Sequence, residues 1–68
     1  MRLRSLRKQK GLTQFQLAKK LNITQNSISR YETGEREASY KVLIAIADYF
    51  EVSIDYLLER TNNPKFYK

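Results

Sequence analysis

Capping residues divide this sequence into short helical segments, and their spacing limits the possible folds more than any other feature. Residues whose hydroxyl can accept a hydrogen bond from a free helical N–H precede four of the segments: Thr13, Thr24, Ser39 and Ser53. Residues that readily adopt the left-handed conformation at a helix end follow the first three segments: Gly11, Asn22 and Gly34. The pattern predicts helices at residues 2–10, 14–21, 25–33, 40–50 and 54–60, the last closed by the residues before Pro64.

The predicted fold is therefore an all-α, compact five-helix domain. Apolar residues recur at helical spacing in the segments, and no stretch alternates for long enough to form a strand. Thr13 and Gln16 have the spacing of a capping box at the start of the second helix. The residues expected in the core are Leu12, Leu17, Leu21, Ile23, Ile28, Tyr31, Leu43, Ile46, Ala47, Val52, Leu57 and Leu58.

The composition argues against an enzyme. The 68 residues include no cysteine and no histidine, and the seven acidic residues are scattered without a paired arrangement. No glycine-rich phosphate loop is present, and no apolar run reaches the roughly 20 residues that cross a bilayer. We expect no catalytic residue, metal site, cofactor or small-molecule ligand, and no insertion into a membrane.

All of the excess positive charge lies in the first half of the chain. Residues 1–31 contain eight cations and no anion, whereas residues 32–68 contain five cations and seven anions. Such an asymmetry suggests an acidic partner such as nucleic acid. A solvated basic face and an amphipathic helix on a membrane surface are the alternatives that charge alone leaves open.

The third predicted helix has two different sides. Ile28 and Tyr31 share one side, and a polar set spans about 140° of the other: Gln25, Asn26, Ser29, Arg30 and Thr33. Amide side chains can bond bidentately to adenine and a guanidinium to guanine, so this face suits a reader of the major groove. The alternative is a polar helix that is merely exposed to solvent.

The segment from Gly11 to Gly34 resembles the helix-turn-helix of lambdoid phage repressors and Cro proteins, the XRE family. Its motif is Gly-Leu-Thr-Gln-x-x-Leu-Ala-x-x-Leu-Asn-Ile-Thr-Gln-x-x-Ile-Ser-x-Tyr-Glu-x-Gly, and residues 52–58 resemble the family's closing helix. The resemblance implies a lambda-repressor-like domain over residues 1–60, with helices 2 and 3 forming the helix-turn-helix. Residues 61–68 would then be a C-terminal tail or a linker remnant.

The resemblance also implies where DNA would be bound. Gln14 matches a residue that bonds a phosphate, and Gln25, Asn26 and Arg30 match base-contacting positions, although Arg30 is long enough to take a phosphate instead. The full set of expected base contacts is Thr24, Gln25, Asn26, Ser29 and Arg30. The expected phosphate contacts are Thr13, Gln14, Ser27, Arg36 and Lys41.

Two further sets of contacts are expected. Arg7 and Glu32 match an ion pair of the family that ties helix 1 to helix 3, the alternative being two unrelated surface charges. The chain also has more aromatic residues than a core of this size can hold, which suggests a contact between copies. The residues expected in that dimer contact are Tyr40, Ile54, Leu58 and Phe66, and Phe15 is a second candidate contact without an assigned partner.

The leading hypothesis is a sequence-specific regulator of transcription that works in the bacterial cytoplasm, at the nucleoid. It would act as a repressor, binding a pseudo-palindromic operator in double-stranded DNA as a homodimer. The alternative is a protein-interaction module, such as an antirepressor, antitoxin or adaptor, that keeps the fold without binding an operator. That alternative predicts loss of Gln14 or acidic residues on the outer face of helix 3; Gln14 is present and Glu32 is the only acid in residues 1–33.

Overall fold

A computed structural model describes residues 1–65, and its regular structure is entirely helical. The helices are α1 (Leu3–Gln9), α2 (Gln14–Leu21), α3 (Gln25–Thr33), α4 (Tyr40–Phe50) and α5 (Ile54–Leu57). The expected all-α fold of five helices is confirmed, and the bounds of α2, α3 and α4 are those predicted from the sequence. Within the described residues, every helix is too short or too polar to span a lipid bilayer.

The predicted capping residues begin the helices. Thr13, Thr24, Ser39 and Ser53 each accept a hydrogen bond from the backbone N–H three residues later. At α2 the capping box is complete: the N–H of Gln16 donates to Thr13 Oγ1 at 3.1 Å, and the N–H of Thr13 donates to Gln16 Oε1 at 2.9 Å. These bonds satisfy N–H groups that have no partner inside the helix.

Left-handed residues end the helices where the sequence suggested. Gly11, Asn22 and Gly34 have φ of 68°, 57° and 80°. Glu51, which follows α4, is also left-handed at φ 55°. Glutamate has no preference for this conformation, so the sequence predicted the end of α4 but not its geometry.

The fifth helix is shorter than predicted. It ends at Leu57, not at residue 60, because Glu59 adopts a left-handed φ of 64°. The N–H of Glu59 then donates to the carbonyl of Tyr56 at 3.1 Å, and the N–H of Arg60 to that of Asp55 at 2.8 Å. This pair of bonds is a Schellman ending, which closes α5 before Pro64 can do so.

The core lies between the inward sides of all five helices. Its buried members are Leu3, Leu6, Leu17, Ala18, Ile28, Tyr31, Leu43, Ile46, Ala47, Phe50, Val52 and Leu57. Leu12, Leu21 and Ile23 are partly buried at its margin. The expectation that Leu58 completes the core is wrong: it follows the end of α5, and it is 39% exposed.

The carboxylate of Glu32, near the end of α3, joins the first three helices, and its side chain is 0% exposed. Arg7 of α1 donates from Nε to Oε2 at 2.6 Å and from Nη2 to Oε1 at 3.2 Å. Gln14 of α2 donates from Nε2 to Oε1 at 3.1 Å, and Arg4 Nε lies 3.4 Å from the same oxygen. We refer to Arg4, Arg7, Gln14 and Glu32 as the Glu32 cluster.

The pKa of the Glu32 carboxyl lies below its ordinary value of 4.5. Burial raises this pKa, because a carboxylate removed from water loses hydration. Hydrogen bonds from Arg7 and Gln14, the charge of Arg7 and a hydrogen bond from Arg4 together lower it by more than burial raises it. Glu32 is therefore ionised at neutral pH.

Removing either member of the Arg7–Glu32 pair should destabilise the domain strongly. We expect Arg7→Ala and Glu32→Ala each to lower the free energy of unfolding by about 3 kcal/mol, because each leaves a desolvated charge without its closest partner. The double variant should lose less than the sum of the two single losses. Chemical denaturation of the four proteins measures this coupling.

The exposed pair of Arg60 and Asp55 supplies the matched control. Its closest atoms are 4.0 Å apart and its side chains are 75% and 68% exposed. Exposed pairs contribute less than about 1 kcal/mol, so substituting these residues should have a small and additive effect. If the Arg7 and Glu32 losses were also additive and each below about 0.5 kcal/mol, the two residues would be independent surface charges.

The lowered pKa of Glu32 predicts a loss of stability in acid. A carboxyl with a lowered pKa in the folded state contributes its full stability above the unfolded value, which is 4.5, and loses it as pH falls through the folded pKa. Glu32→Gln removes this titration. The free energy of unfolding of the natural chain should therefore fall relative to that of the variant below about pH 4.5.

Denaturant titrations of both proteins between neutral and strongly acidic pH measure this difference. The other carboxyl groups are common to both proteins, so their effects cancel. Two curves that run parallel below the unfolded pKa would show that Glu32 has the same pKa in the folded and unfolded chain.

Candidate nucleic-acid interface

Three residues join α2 to α3 and set the angle between them. Asn22 reverses the chain in the left-handed conformation. The N–H of Ile23 donates to the carbonyl of Ala18 at 3.0 Å, and its side chain packs against the core. Thr24 then begins α3 by accepting from the N–H of Ser27 at 3.1 Å. The two helices and this turn have the arrangement of a helix-turn-helix.

The outer face of α3 carries side chains that the rest of the domain leaves available. Ile28 and Tyr31 face inward and are 0% and 5% exposed. Gln25, Asn26 and Arg30 are exposed, and across residues 1–65 no hydrogen-bond or ion-pair partner occupies their side chains. Their amides and guanidinium can therefore bind an external molecule without breaking contacts within the domain.

The two other expected base contacts are less available. The hydroxyl of Thr24 caps α3 and also donates to Ser27 Oγ at 2.9 Å. Ser29 is half-buried. Both residues lie next to the exposed amides, but neither offers a fully exposed, unpaired hydroxyl.

The expected phosphate contacts at the start of α2 lie beside the Glu32 cluster. The hydroxyl of Thr13 is used in the capping box. Gln14 is half-buried and donates one amide hydrogen to Glu32, which leaves its second hydrogen for another acceptor. The N–H groups of Gln14 and Phe15 have no partner inside α2, and the helix dipole favours an anion at this end.

Arg36, in the segment after α3, lies beside Ser27 of that helix. Arg36 Nη1 donates to Ser27 Oγ at 3.4 Å, and its guanidinium lies 5.7 Å from the centre of the Tyr31 ring. Lys41 does not join this group: it is exposed at the start of α4, in a groove shared with Asn22 and Ile23 of the turn. The expected phosphate contacts thus occupy three separate places.

A second surface of the domain is apolar. Tyr40 is 85% exposed, and Ile54 and Leu58 are 37% and 39% exposed. Ile44, which the sequence reasoning did not select, is 49% exposed one helical turn after Tyr40. Leu58 likewise follows Ile54 by one turn, and Tyr40 and Leu58 line the same groove. We call Tyr40, Ile44, Ile54 and Leu58 the α4–α5 apolar surface.

Two of the expected contact residues are not assigned to this surface. Phe66 is outside the described residues. Phe15 is 57% exposed on α2, as its position away from Leu17 and Leu21 predicted. Lys19 Nζ lies 5.5 Å from the centre of its ring, an arrangement in which the cation covers part of the aromatic face.

The sequence reasoning missed two arrangements at the candidate interface. It assigned Gln14 only to a phosphate, whereas Gln14 also donates to Glu32. Arg4, which was counted only as part of the general positive charge, reaches the same carboxylate. The four-residue spacing of Tyr40 and Ile44 could have revealed the second apolar position, but no local signal places Gln14 beside Glu32.

Comparison with known proteins identifies related chains. A family model described as helix-turn-helix matches residues 3–57. The HTH-type transcriptional regulator YqaE of Bacillus subtilis is 47% identical over 66 residues, which is 97% of this chain and 57% of YqaE. The cryptic phage CTXphi transcriptional repressor RstR of Vibrio cholerae is 41% identical over 59 residues, 87% of this chain and 53% of RstR. The antitoxin PezA of Streptococcus pneumoniae is 41% identical over 51 residues, 75% of this chain and 32% of PezA.

The extent of these matches decides what they establish. The chain spans about half the length of the curated relatives it matches, 57%, 56% and 45% of three of them. No solved structure matches it significantly. The family match covers the five helices almost from end to end, including α2, the turn and α3. The resemblance to the XRE family is thereby confirmed, and the chain belongs to this helix-turn-helix family of transcriptional regulators.

Proposed function

We propose that the chain binds a specific sequence in double-stranded DNA and represses transcription by occupying its operator. The observation that carries this proposal is the outer face of α3, where Gln25, Asn26 and Arg30 are exposed and unpaired within the described residues. Each of these side chains can form two hydrogen bonds to the edge of one base. A major groove about 12 Å wide admits a helix that carries them.

The charge of α2 and α3 also supports a DNA partner. Glu32 is the only acidic residue in α2 and α3, and its side chain is fully covered. The helix-turn-helix therefore exposes no carboxylate that would repel phosphate, while it exposes the cations Lys19, Lys20 and Arg30. A face adapted to bind a basic protein would need the opposite charge.

Phosphate contacts would fix the orientation of α3 in the groove. Gln14 would donate its second amide hydrogen to a phosphate at the N-terminus of α2, where the free N–H groups also favour an anion. Arg36 and Lys41 would each bind a further phosphate, since both are exposed, Arg36 beside Ser27 of α3 and Lys41 beside the turn before that helix. Thr13 and Ser27 would add weaker contacts, because their hydroxyls already have partners.

The operator would be bound by two copies of the chain. The α4–α5 apolar surface gathers four of the five large apolar side chains that are exposed in the described residues. A two-fold dimer needs one self-complementary patch on each copy, and exposed apolar side chains on α4 and at the ends of α5, two of which line one groove, are suited to that need. Two copies would then place their α3 helices in successive major grooves of a pseudo-palindromic site.

Repression by occupancy requires binding but no further activity of the protein. The relative RstR is named a phage transcriptional repressor, which supports this part of the proposal. The relative PezA is named an antitoxin, which is one of the alternatives considered above. Retention of Gln14 and the free amides on α3 favour DNA binding over a module that only binds protein.

Selection of bound sites from a pool of random duplexes tests the proposal. We expect enrichment of an inverted repeat whose half-sites are centred about one helical turn apart. The affinity for the selected duplex should fall with salt, with a log–log slope of about −0.9 for each phosphate contacted. Recovery of no preferred sequence, together with an affinity that salt does not change, would exclude sequence-specific DNA binding.

Substitutions at Gln14 and Gln25 should have different effects on the selected duplex. Gln14→Ala should weaken binding to all sequences alike, because a phosphate contact carries no sequence information. Gln25→Ala and Asn26→Ala should each cost about 1–3 kcal/mol and relax the preference at one or two base pairs. Competition titrations with single-base variants of the duplex separate the two effects.

Gln9 provides the matched control for these variants. It is an exposed glutamine at the end of α1, bonded only weakly to Ser5 at 3.4 Å. Gln9→Ala should leave both affinity and base preference unchanged. If Gln25→Ala left every base preference intact, α3 could not be the element that reads the bases.

A further inference from the structure

The first two residues of the chain contact the end of α5 and the residues that follow it. The N–H of Arg2 donates to the carbonyl of Leu57 at 2.8 Å. Its guanidinium donates from Nε to the carbonyl of Tyr56 at 2.8 Å, and from Nη2 to the carbonyl of Thr61 and to Oδ1 of Asn62, both at 3.0 Å. The guanidinium carbon also lies 4.3 Å from the centre of the Tyr56 ring.

These contacts supply what α5 lacks. A helix of four residues leaves almost all of its carbonyl groups without a partner inside the helix. The N–H of Leu58 and the Schellman ending satisfy the carbonyls of Ile54, Asp55 and Tyr56. The backbone N–H of Arg2 satisfies that of Leu57, and the guanidinium adds a second hydrogen bond to that of Tyr56. A positive charge at the C-terminal end of a helix is also favoured by the helix dipole.

The segment that Arg2 holds carries half of the α4–α5 apolar surface. Ile54 begins α5, and Leu58 follows its last residue. Met1 lies with Leu58 and Tyr40 in one groove, and the N-terminal ammonium is 3.5 Å from the carboxylate of Glu59. The position of Leu58 relative to Tyr40 is therefore set by the start of the chain as well as by α4.

We propose that Arg2 is a positioning residue for self-association, which holds α5 and Leu58 in the arrangement that a second copy recognises. The inference rests on the proposed function, because it takes the α4–α5 apolar surface as the contact between copies. In a two-fold dimer both copies contribute the same surface, so a displaced α5 would disturb the contact at two places. The affinity between two apolar surfaces depends more on how well their shapes match than on the area they bury. The position of Leu58 therefore matters for the contact.

Sedimentation of the free protein over a range of concentrations tests this role without DNA. Arg2→Lys keeps the charge and the backbone N–H, but a single ammonium cannot reproduce the planar fork that reaches Tyr56, Thr61 and Asn62. We expect this variant to raise the dissociation constant of the dimer about tenfold. Arg2→Gln should raise it by the same factor or more, whereas Lys8→Gln, which removes an exposed charge on α1, should not change it.

Hydrogen exchange of Arg2→Lys distinguishes positioning from general stabilisation. We expect faster exchange for amides of residues 57–60 and unchanged exchange in α2 and α3. Binding to a single half-site of the selected duplex should also be unchanged, whereas binding to the full site should weaken. Uniformly faster exchange along the chain, with equal losses on half-site and full site, would overturn the proposal.

The remaining outcomes separate this inference from the proposed function. If the natural chain forms a dimer and the Arg2 variants form it equally well, Arg2 has no positioning role and the proposed function stands. If the natural chain stays monomeric both in solution and on the selected duplex, the dimeric part of the proposed function fails, and this inference fails with it.

Discussion

The buried carboxylate of Glu32 is the interaction on which the helix-turn-helix depends. It receives hydrogen bonds from α1 and α2 while it belongs to α3, so a single charged group fixes three helices. Burial of an ion is costly unless its partners are well placed, and the Arg7 fork, Gln14 and Arg4 meet that condition. Because Gln14 is also the residue proposed to bind a phosphate, the same carboxylate would link that contact to α3, the helix proposed to read the bases.

The sequence predicted those parts of the fold that local contacts determine. A capping hydroxyl and the N–H that it accepts from are three residues apart, so Thr13, Thr24 and Ser39 mark helix starts without reference to the rest of the chain. The end of α5 was not predictable in this way. Glu59 is left-handed without being glycine or asparagine, and the carbonyl of Leu57 accepts from the backbone N–H of Arg2, more than fifty residues away in sequence.

In the candidate site, too, the sequence predicted the features that helical spacing determines and missed those that depend on the packing of the helices. Helical spacing was enough to place Gln25, Asn26 and Arg30 on the side of α3 opposite Ile28, where the structure leaves them exposed. The assignment of Leu58 to both the core and a dimer contact could not be resolved from spacing, because α5 ends one residue earlier. The contact of Gln14 with Glu32 depends on the angle between two helices, which no local pattern specifies.

The contacts of Arg2 also join parts of the chain that are far apart in sequence. The residues of the Glu32 cluster all lie within the first 32 positions, whereas Arg2 is bonded to Tyr56, Thr61 and Asn62, more than fifty positions after it. Bringing such distant residues together costs more chain entropy than closing a short loop. The contacts of Arg2 therefore close the longest loop among those described here, and they depend on the intervening helices being in place.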